Sequence, residues 1–345
     1  MFDSDAFAGH ESIHHFYDEA SGLKAIIAIH STALGPGAGG CRMWNYDNAQ
    51  AAMRDALRLS EGMSYKNAVA DLPLGGAKAV IWGDSKTQKT PELFRALGRF
   101  IESLDGAYWS AEDVGVSPDD MRHAREETRY VAGLDDGVAA SGDPSPVTAL
   151  GVYRGMKAAA QRVLGVDSLA DVHVALQGVG HVGGYLAQHL AKEGARLTIT
   201  DINQPVLEQV AQQTGAKIVS PDEIYDTDAQ IFSPNALGAV INDQTLERLS
   251  CKLIAGSANN QLATVDIGEK LVKQGVAYAP DFVINAGGII NVASEISGTY
   301  SHDWVMGKVD RLVETLVTIL DESAAQKTPS NVVAIDLARR RMTAK

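Results

Sequence analysis

The chain has 345 residues, with 30 Lys and Arg against 43 Asp and Glu, for a formal net charge of −13. An acidic surface repels nucleic acid and anionic membranes, and no cluster of basic residues offers a local exception, so the expected partners are small molecules. Hydrophobic residues at 45% and charged ones at 21% suit two globular domains, and two cysteines, Cys41 and Cys251, exclude a disulfide framework.

The start, MFDSDAFAGH, is acidic and lacks the basic and apolar parts of a signal peptide. No apolar run approaches the roughly 20 residues of a membrane span, so a cytoplasmic location is expected. LKAIIAIH (23–30) reads as a strand and runs into the glycine-dense turn GPGAGG. Asp47 and Asn48 introduce an alanine-rich helix to about Ser60, and AKAVIW is the next strand. Thr90 and Pro91 cap and open a helix with Leu93, Phe94, Leu97, Phe100, Ile101 and Leu104 on one face. This alternation predicts an α/β layer.

A domain boundary is expected in ASGDPSP. The long helix VTALGVYRGMKAAAQRVL then leads into VHVALQ, RLTITD, KIVS, AQIFS, KLIAG and VAYA, short apolar strands with helices between most of them. Near-continuous apolar strands suit a parallel sheet covered on both faces. A final helix is predicted from about Asp303 to Leu320. The predicted class is α/β with two domains: residues 1–143, with C-terminal helices of about 300–345 packing back, and residues 144–299.

Directly after HVALQ comes GVGHVG, with Gly178, Gly180 and Gly183 at GxGxxG spacing, then a helix, then Asp201 at the end of the next strand. In that context Gly178 makes the tight turn, Gly180 lets backbone approach a pyrophosphate, and Gly183 packs helix on strand. Asp201 can accept hydrogen bonds from a ribose diol and repels a 2′-phosphate, and no arginine follows in DINQP, so NAD is expected rather than NADP. The plainer alternative makes the glycines packing features and Asp201 a helix cap.

Upstream, Lys66 and Lys78 stand in MSYKNAVADLPLGGAKAVI, and Asp113 in SAEDVG. Lys78 follows a glycine pair at an expected strand start; desolvation makes an ammonium easier to deprotonate, as a proton-exchanging lysine requires. Lys66 offers a positive charge for a carboxylate. Each also has an ordinary explanation, since lysines snorkel and acids cap turns. Arg42 is open between bordering a cofactor or substrate and forming a structural ion pair.

These stretches, with AEDVGVSPDDM, GDPSPVTALGVYRGMKAAA, AGSANNQL and YAPDFVINAGGIINVASE, resemble the leucine, valine and phenylalanine dehydrogenases, relatives of glutamate dehydrogenase. The resemblance implies an N-terminal substrate and oligomerisation domain and a Rossmann-type NAD domain with a cleft between them. It also implies oxidative deamination of an L-amino acid. By that likeness Lys66 binds the substrate carboxylate, Lys78 activates water, and Asp113 exchanges protons with the amino group. Asn260 holds the substrate and Gly39–Gly40 border it. Ser145 and Thr148 lie near the nicotinamide, and His181, Val182, Ile202, Ala236, Leu237 and Asn259 join the cofactor contacts. No metal is required.

The same likeness puts Ala38, Ala111, Ile289 and Val292 around the substrate side chain. All four are apolar, and Ala38 replaces the lysine of glutamate dehydrogenases, so a distal carboxylate should be rejected. Leucine, isoleucine and valine are favoured, with phenylalanine or tryptophan as the alternative. Ala77 replaces a glycine usual before the catalytic lysine, which requires a negative φ there. A homo-oligomer is expected, without an assumed octamer, since the chain ends at LARRRMTAK. A 2-hydroxy-acid dehydrogenase would need a catalytic histidine and a clamping arginine; His181, His14 and His15 read as surface histidines instead. A non-enzymatic NAD sensor would not need Lys66, Lys78 and Asp113 together.

Overall fold

In the computed structural model, which describes residues 2–134, 140 and 142–344, an antiparallel hairpin joins Ser12–Asp18 (β1) to Leu23–Ser31 (β2). The strand β2 is buried nearly end to end because it has neighbours on both faces. Leu23, Ala25, Ile27 and Ile29 join one core cluster, and Ile26 and Ala28 another. Gly37–Ala38 (β3) and Cys41–Trp44 (β4) follow, then the helix Ala49–Val69 (α1) and the strand Gly75–Trp82 (β5). Pro91–Glu102 (α2), Tyr108–Trp109 (β6) and Pro118–Arg125 (α3) complete this part.

The sheet runs β1-β2-β5-β3-β6, with β4 also beside β5. The first two pairings are antiparallel and the rest parallel. Odd-numbered side chains of β2 meet Leu93, Phe94, Leu97 and Ile101 of α2, and even-numbered ones meet Ala52, Ala56 and Leu57 of α1. That is the two-residue period of a strand turned into two cores.

α1 is longer than its sequence signal. Asn48 caps it, accepting from the Ala51 amide, but the helix continues past Ser60 to Val69. Ser64, Asn67, Ala68 and Val69 are buried on the extension, which places Lys66 in the last turn. Arg341 donates to the terminal carbonyls of Ala68 and Val69 at 3.0 and 2.8 Å, satisfying groups that the helix itself leaves open.

The second set of elements begins with Ser145–Leu164 (α4). There follow His173–Gln177 (β7), His181–Glu193 (α5), Arg196–Thr200 (β8), Gln204–Thr214 (α6), Lys217–Ile218 (β9) and Ile231–Pro234 (β10). Asp243–Leu246 (α7), Leu253–Ile254 (β11), Asp266–Gln274 (α8), Ala277–Tyr278 (β12) and Asp281–Ile284 (α9) finish the sheet region. All pairings are parallel, in the order β12-β11-β10-β7-β8-β9. This is the doubly wound dinucleotide-fold order, whose strand direction of growth reverses between β7 and β10. Gly287–Ile296 (α10), His302–Gln326 (α11) and Ser330–Thr343 (α12) end the chain; α11 extends beyond Leu320, and α12 is a separate helix.

By its contacts the chain forms two units. One holds Met1–Asp143, Ile289–Val305 and Ala338–Lys345; the other holds Pro144–Gly288 and Met306–Leu337. The first passage between them, at Asp143–Pro144, lies in the ASGDPSP segment, of which Ser141 is outside the described residues. Among the described residues no helix is long and apolar enough to cross a membrane.

Candidate active site

In the first unit the strands β5 and β4 and the loop after β6 carry the charged residues. Lys78 lies inside β5, opposite Ala28 of β2, rather than at a strand start, and is only 6% exposed. Its Nζ stands 2.6 Å from Asp113 Oδ2. The same oxygen receives Arg42 Nε from β4 at 3.2 Å. Burial works to raise the Asp113 carboxyl, but the Lys78 ammonium and the Arg42 guanidinium outweigh it and hold the group below the ordinary carboxylate range.

The glycines around this pair are set by close approach. A β-carbon on Gly39 would stand 2.0 Å from the Ala77 carbonyl oxygen, and one on Gly40 would stand 2.4 Å from that of Glu112. The Gly39–Gly40 pair therefore fits between the strand of Lys78 and the loop of Asp113. Gly39 is held further by the Tyr108 hydroxyl, which donates to its carbonyl at 2.8 Å. Ala77 is not among the residues with positive φ and pairs with Ile29 in the ladder, so alanine is accommodated beside Lys78.

Lys66 is half-buried in the last turn of α1. Its neighbour Asn67 is fully buried and donates from Nδ2 to the Gly75 carbonyl at 2.6 Å, tying α1 to β5. Gly76 touches α1 directly, since a β-carbon there would lie 2.1 Å from the Ser64 amide nitrogen.

Ala38 and Ala111 lie on adjoining chain segments. Ala38 pairs with Trp109, and the Cys41 amide donates to the Ala111 carbonyl at 2.7 Å. At Gly133, which sequence reasoning missed, a β-carbon would stand 3.6 and 3.9 Å from the Ala111 and Val292 side chains. Its amide donates to the buried Glu295 carboxylate at 2.9 Å. Ile289 is half-buried at the start of the same helix, α10.

In the second unit Gly178 ends β7 with φ of +95°, a conformation that favours glycine. A β-carbon on Gly183 would stand 2.2 Å from the Gly178 carbonyl oxygen, so α5 packs tightly on the turn. At Gly180 a β-carbon would meet nothing within 4 Å. That open face lies at the N-terminus of α5, beside His181 and Val182, where helix amides and dipole favour an anion. Asp201 Oδ2 accepts from the Val179 amide at 2.8 Å, and its Oδ1 accepts from Asn203 at 2.8 Å. The cap of α6 is Asn203, not Asp201. Ile202 beside it is 93% exposed, an apolar surface next to a carboxylate.

The loop after β10 reaches the same turn: a β-carbon on Gly178 would lie 2.6 Å from Ala236 Cβ, and Leu237 is 72% exposed. Asn260 has φ of +52°, a conformation that asparagine tolerates better than most residues. Asn259 Oδ1 accepts from Asn285 at 2.7 Å, while Asn285 Oδ1 is buried without a partner. Asn285 was not anticipated; its only signal is an amide inside an otherwise apolar run. Gly287 and Gly288 pack on the first turn of α4, with Thr148 Oγ1 3.0 Å from the β-carbon position of Gly288. Ser145 opens that helix. The open face at Gly180, the tight Gly178–Gly183 contact and the exposed Ile202 fit a dinucleotide.

Two family models match the chain. Residues 10–130 match the Glu/Leu/Phe/Val dehydrogenase dimerisation domain, and residues 197–338 match the Glutamate/Leucine/Phenylalanine/Valine dehydrogenase domain. A leucine dehydrogenase of Thermoactinomyces intermedius is 52% identical over 94% of this chain and 88% of its own length. The chain belongs to the Glu/Leu/Phe/Val dehydrogenase family. A phenylalanine dehydrogenase of Bacillus thermotolerans is 44% identical over 96% of the chain and 87% of its own length. The crystal structure of L-tryptophan dehydrogenase from Nostoc punctiforme superposes with a TM-score of 0.86 at 41% identity, covering 97% of this chain and 96% of that one.

As a member of this family the protein is an oxidoreductase with a nicotinamide cofactor. The Lys78–Asp113 pair falls inside the segment matching the dimerisation domain, and Asp201, Asn259 and Asn260 inside the other. The glycine turn at 178–183 lies outside both matched segments and within the stretch shared with the leucine dehydrogenase relatives. Arg42, left open by the sequence, forms ion pairs with Asp113 and Asp55. Tyr46 and Arg58 also bond Asp55, a cluster that no sequence motif announced. Among the described residues no group of three His, Cys, Asp or Glu is placed to hold a metal ion.

Proposed function

We propose that the protein catalyses NAD-dependent oxidative deamination of branched aliphatic L-amino acids, leucine, isoleucine and valine, and the reverse reductive amination. The observation that carries this reading is the 2.6 Å pair of the buried Lys78 with the half-buried Asp113, in a member of a family whose relatives include leucine dehydrogenases. The first unit serves as the substrate and oligomerisation domain, and the second binds NAD. A homo-oligomer fits the dimerisation-domain match, and the location assigned to it is the cytoplasm.

Lys66 binds the substrate carboxylate, and Asn260 with Gly39–Gly40 positions the substrate backbone. Asp113 takes a proton from the substrate ammonium so that the nitrogen lone pair can push as Cα gives up its hydride. The bound nicotinamide supplies the acceptor for that hydride. Lys78, once it has released its own proton, takes one from water as it adds to the substrate iminium ion, and the resulting ammonium stabilises the developing oxygen charge. Asp113 returns a proton to nitrogen, ammonia leaves with the C–N bonding pair, and the hydroxyl gives up its proton to solvent as the carbonyl of the 2-oxo acid forms.

Gly178, Gly180 and Gly183 with His181 and Val182 cradle the pyrophosphate. Asp201 would accept from the adenosine ribose diol, which would select NAD over NADP, and the exposed Ile202 would add an apolar contact to the cofactor. Ala236, Leu237, Asn259, Ser145 and Thr148 hold the nicotinamide end. Ala38, Ala111, Val292 and Ile289 form the side-chain pocket. Ala38 favours a second reading, oxidation of phenylalanine or tryptophan, because its small side chain leaves room; the Nostoc punctiforme neighbour is a tryptophan dehydrogenase.

The test is Lys78→Ala assayed with L-leucine and NAD. Turnover should fall by about 10²–10⁴-fold while NADH binding, followed by fluorescence, stays nearly intact. Retained turnover would remove Lys78 from the chemistry. Oxidation of 2-hydroxyisocaproate in place of leucine would overturn the reaction class.

A further inference from the structure

We propose that Arg42 is a positioning residue for the reaction, fixing Asp113 and, against the counter-charge of Asp55, setting the pH at which the Lys78–Asp113 pair releases its proton. This rests on the roles given above to Lys78 and Asp113.

The geometry is a chain of four alternating charges. Lys78 Nζ and Arg42 Nε both address Asp113 Oδ2, at 2.6 and 3.2 Å. Arg42 turns its Nη1 to Asp55 Oδ2 at 3.1 Å. Asp55 is held by the Tyr46 hydroxyl at 2.7 Å and by Arg58 at 3.0 Å. Arg42, Asp55 and Asp113 side chains are only 20%, 14% and 23% exposed, so solvent screens these contacts less than it would at the surface. With both cations on Oδ2, and a further hydrogen bond from the Val114 backbone, rotation of the Asp113 carboxylate is restricted where it would exchange a proton with a substrate nitrogen.

The electrostatic consequence has a definite sign. Arg42 places a permanent positive charge beside the proton shared by Lys78 and Asp113, which eases its loss. Asp55 partly cancels that charge. Burial opposes the charged form of Arg42, yet Asp113 and Asp55 outweigh it and hold the guanidinium protonated. Burial likewise opposes the Asp55 carboxylate, but the Tyr46 hydroxyl and Arg42 keep it ionised.

The other ionisable groups around the pair leave this sign unaltered. Burial pushes the Cys41 thiol of β4 up to about 12, and raises the Tyr108 phenol of β6 and the Tyr46 phenol, so all three stay neutral. Asp120 of α3 is paired with Lys89. Arg58 and Lys66, both on α1, are left unchanged in every variant below.

The experiment is the pH dependence of kcat for leucine oxidation at saturating leucine and NAD, in wild type, Arg42→Met, Arg42→Lys and Asp55→Asn. Arg42→Met should move the midpoint up by about one pH unit and lower kcat, with KM for NAD unchanged. Asp55→Asn should move the midpoint in the opposite direction, to lower pH, and Arg42→Lys should lie between wild type and Arg42→Met. Structural damage alone would lower kcat in each variant without opposite displacements. If Arg42→Met does not fold, the Asp55→Asn displacement decides: downward supports the assignment, none or upward overturns it. Equal midpoints in all folded variants with an active wild type would overturn the role of Arg42 alone. A wild type inactive on every amino acid would overturn the functional reading beneath it.

Discussion

Gly40 and Asp113 meet so closely that a β-carbon on the glycine would stand 3.0 Å from Asp113 Cβ. The strand junction after β3 and the loop bearing the acid thus form one packed unit, to which Lys78 is bonded through Asp113. A methyl group on the glycine must displace Asp113 from the position in which it meets Lys78.

Gly40→Ala should therefore act on rate as well as on stability. Misplacement of a reacting group by about 1 Å can cost about 10²-fold, so kcat for leucine should fall by that order. Overpacking should lower stability by about 1–3 kcal/mol in a denaturant titration. Gly62→Ala is the matched control, because nothing lies within 4 Å of its β-carbon position on α1. Its stability should rise by about 0.5–1 kcal/mol with kcat unchanged. Equal activity of the two variants would show that Gly40 does not position Asp113.

Asp201 should have two separable effects. Its carboxylate braces the glycine turn through the Val179 amide and is assigned to the ribose diol. Asp201→Asn keeps an accepting oxygen and removes the charge that repels a 2′-phosphate. The preference for NAD over NADP, measured as a ratio of kcat/KM values, should fall by about 10–100-fold, the worth of one charge-assisted hydrogen bond. An unchanged ratio would leave Asp201 only its structural role.

Glu193, at the end of α5, gives the second unit an acid-sensitive point. It accepts from Tyr153 at 2.7 Å, Lys157 at 2.6 Å, Ser168 at 2.9 Å and the Leu169 amide at 3.2 Å. Burial opposes its charge, but these donors outweigh burial and lower its pKa from 4.5 to about 2. The unfolded chain thus takes up the proton first as pH falls. Stability from this group is complete above about pH 4.5 and is lost on going down toward pH 2. Glu193→Gln should cost about 1–3 kcal/mol at neutral pH, and its thermal midpoint should fall less steeply than wild type over that acid range. Parallel acid slopes would contradict the account.

The features legible in the sequence were those whose signal is local. GVGHVG stands between an apolar strand and a helix, so Gly178, Gly180 and Gly183 could be assigned to one turn without tertiary information. Lys78 was legible because AVIW marks a strand beside it. The end of α1 was not, because Ser64 and Asn67 are polar and nothing local announces their burial. Their partners lie outside the helix, His30 for Ser64 and the Gly75 carbonyl for Asn67. Asp55 and Tyr46 were hidden for the same reason: an acid on an alanine-rich helix looks solvated until Arg42 of β4 is brought to it. Gly133 and Asn285 lie in segments without periodicity, and only the folded chain shows what each touches.

The most direct measurement is the initial rate of NADH formation at alkaline pH with leucine, isoleucine, valine, methionine, phenylalanine, tryptophan and glutamate as separate substrates. The account predicts the highest kcat/KM among leucine, isoleucine and valine, little rate with glutamate, and a decline toward the aromatics. A maximum at phenylalanine or tryptophan would mean that the space at Ala38 outweighs Ile289. Activity with none of the seven would contradict the assignment of Lys78 and Asp113 to amino-acid oxidation.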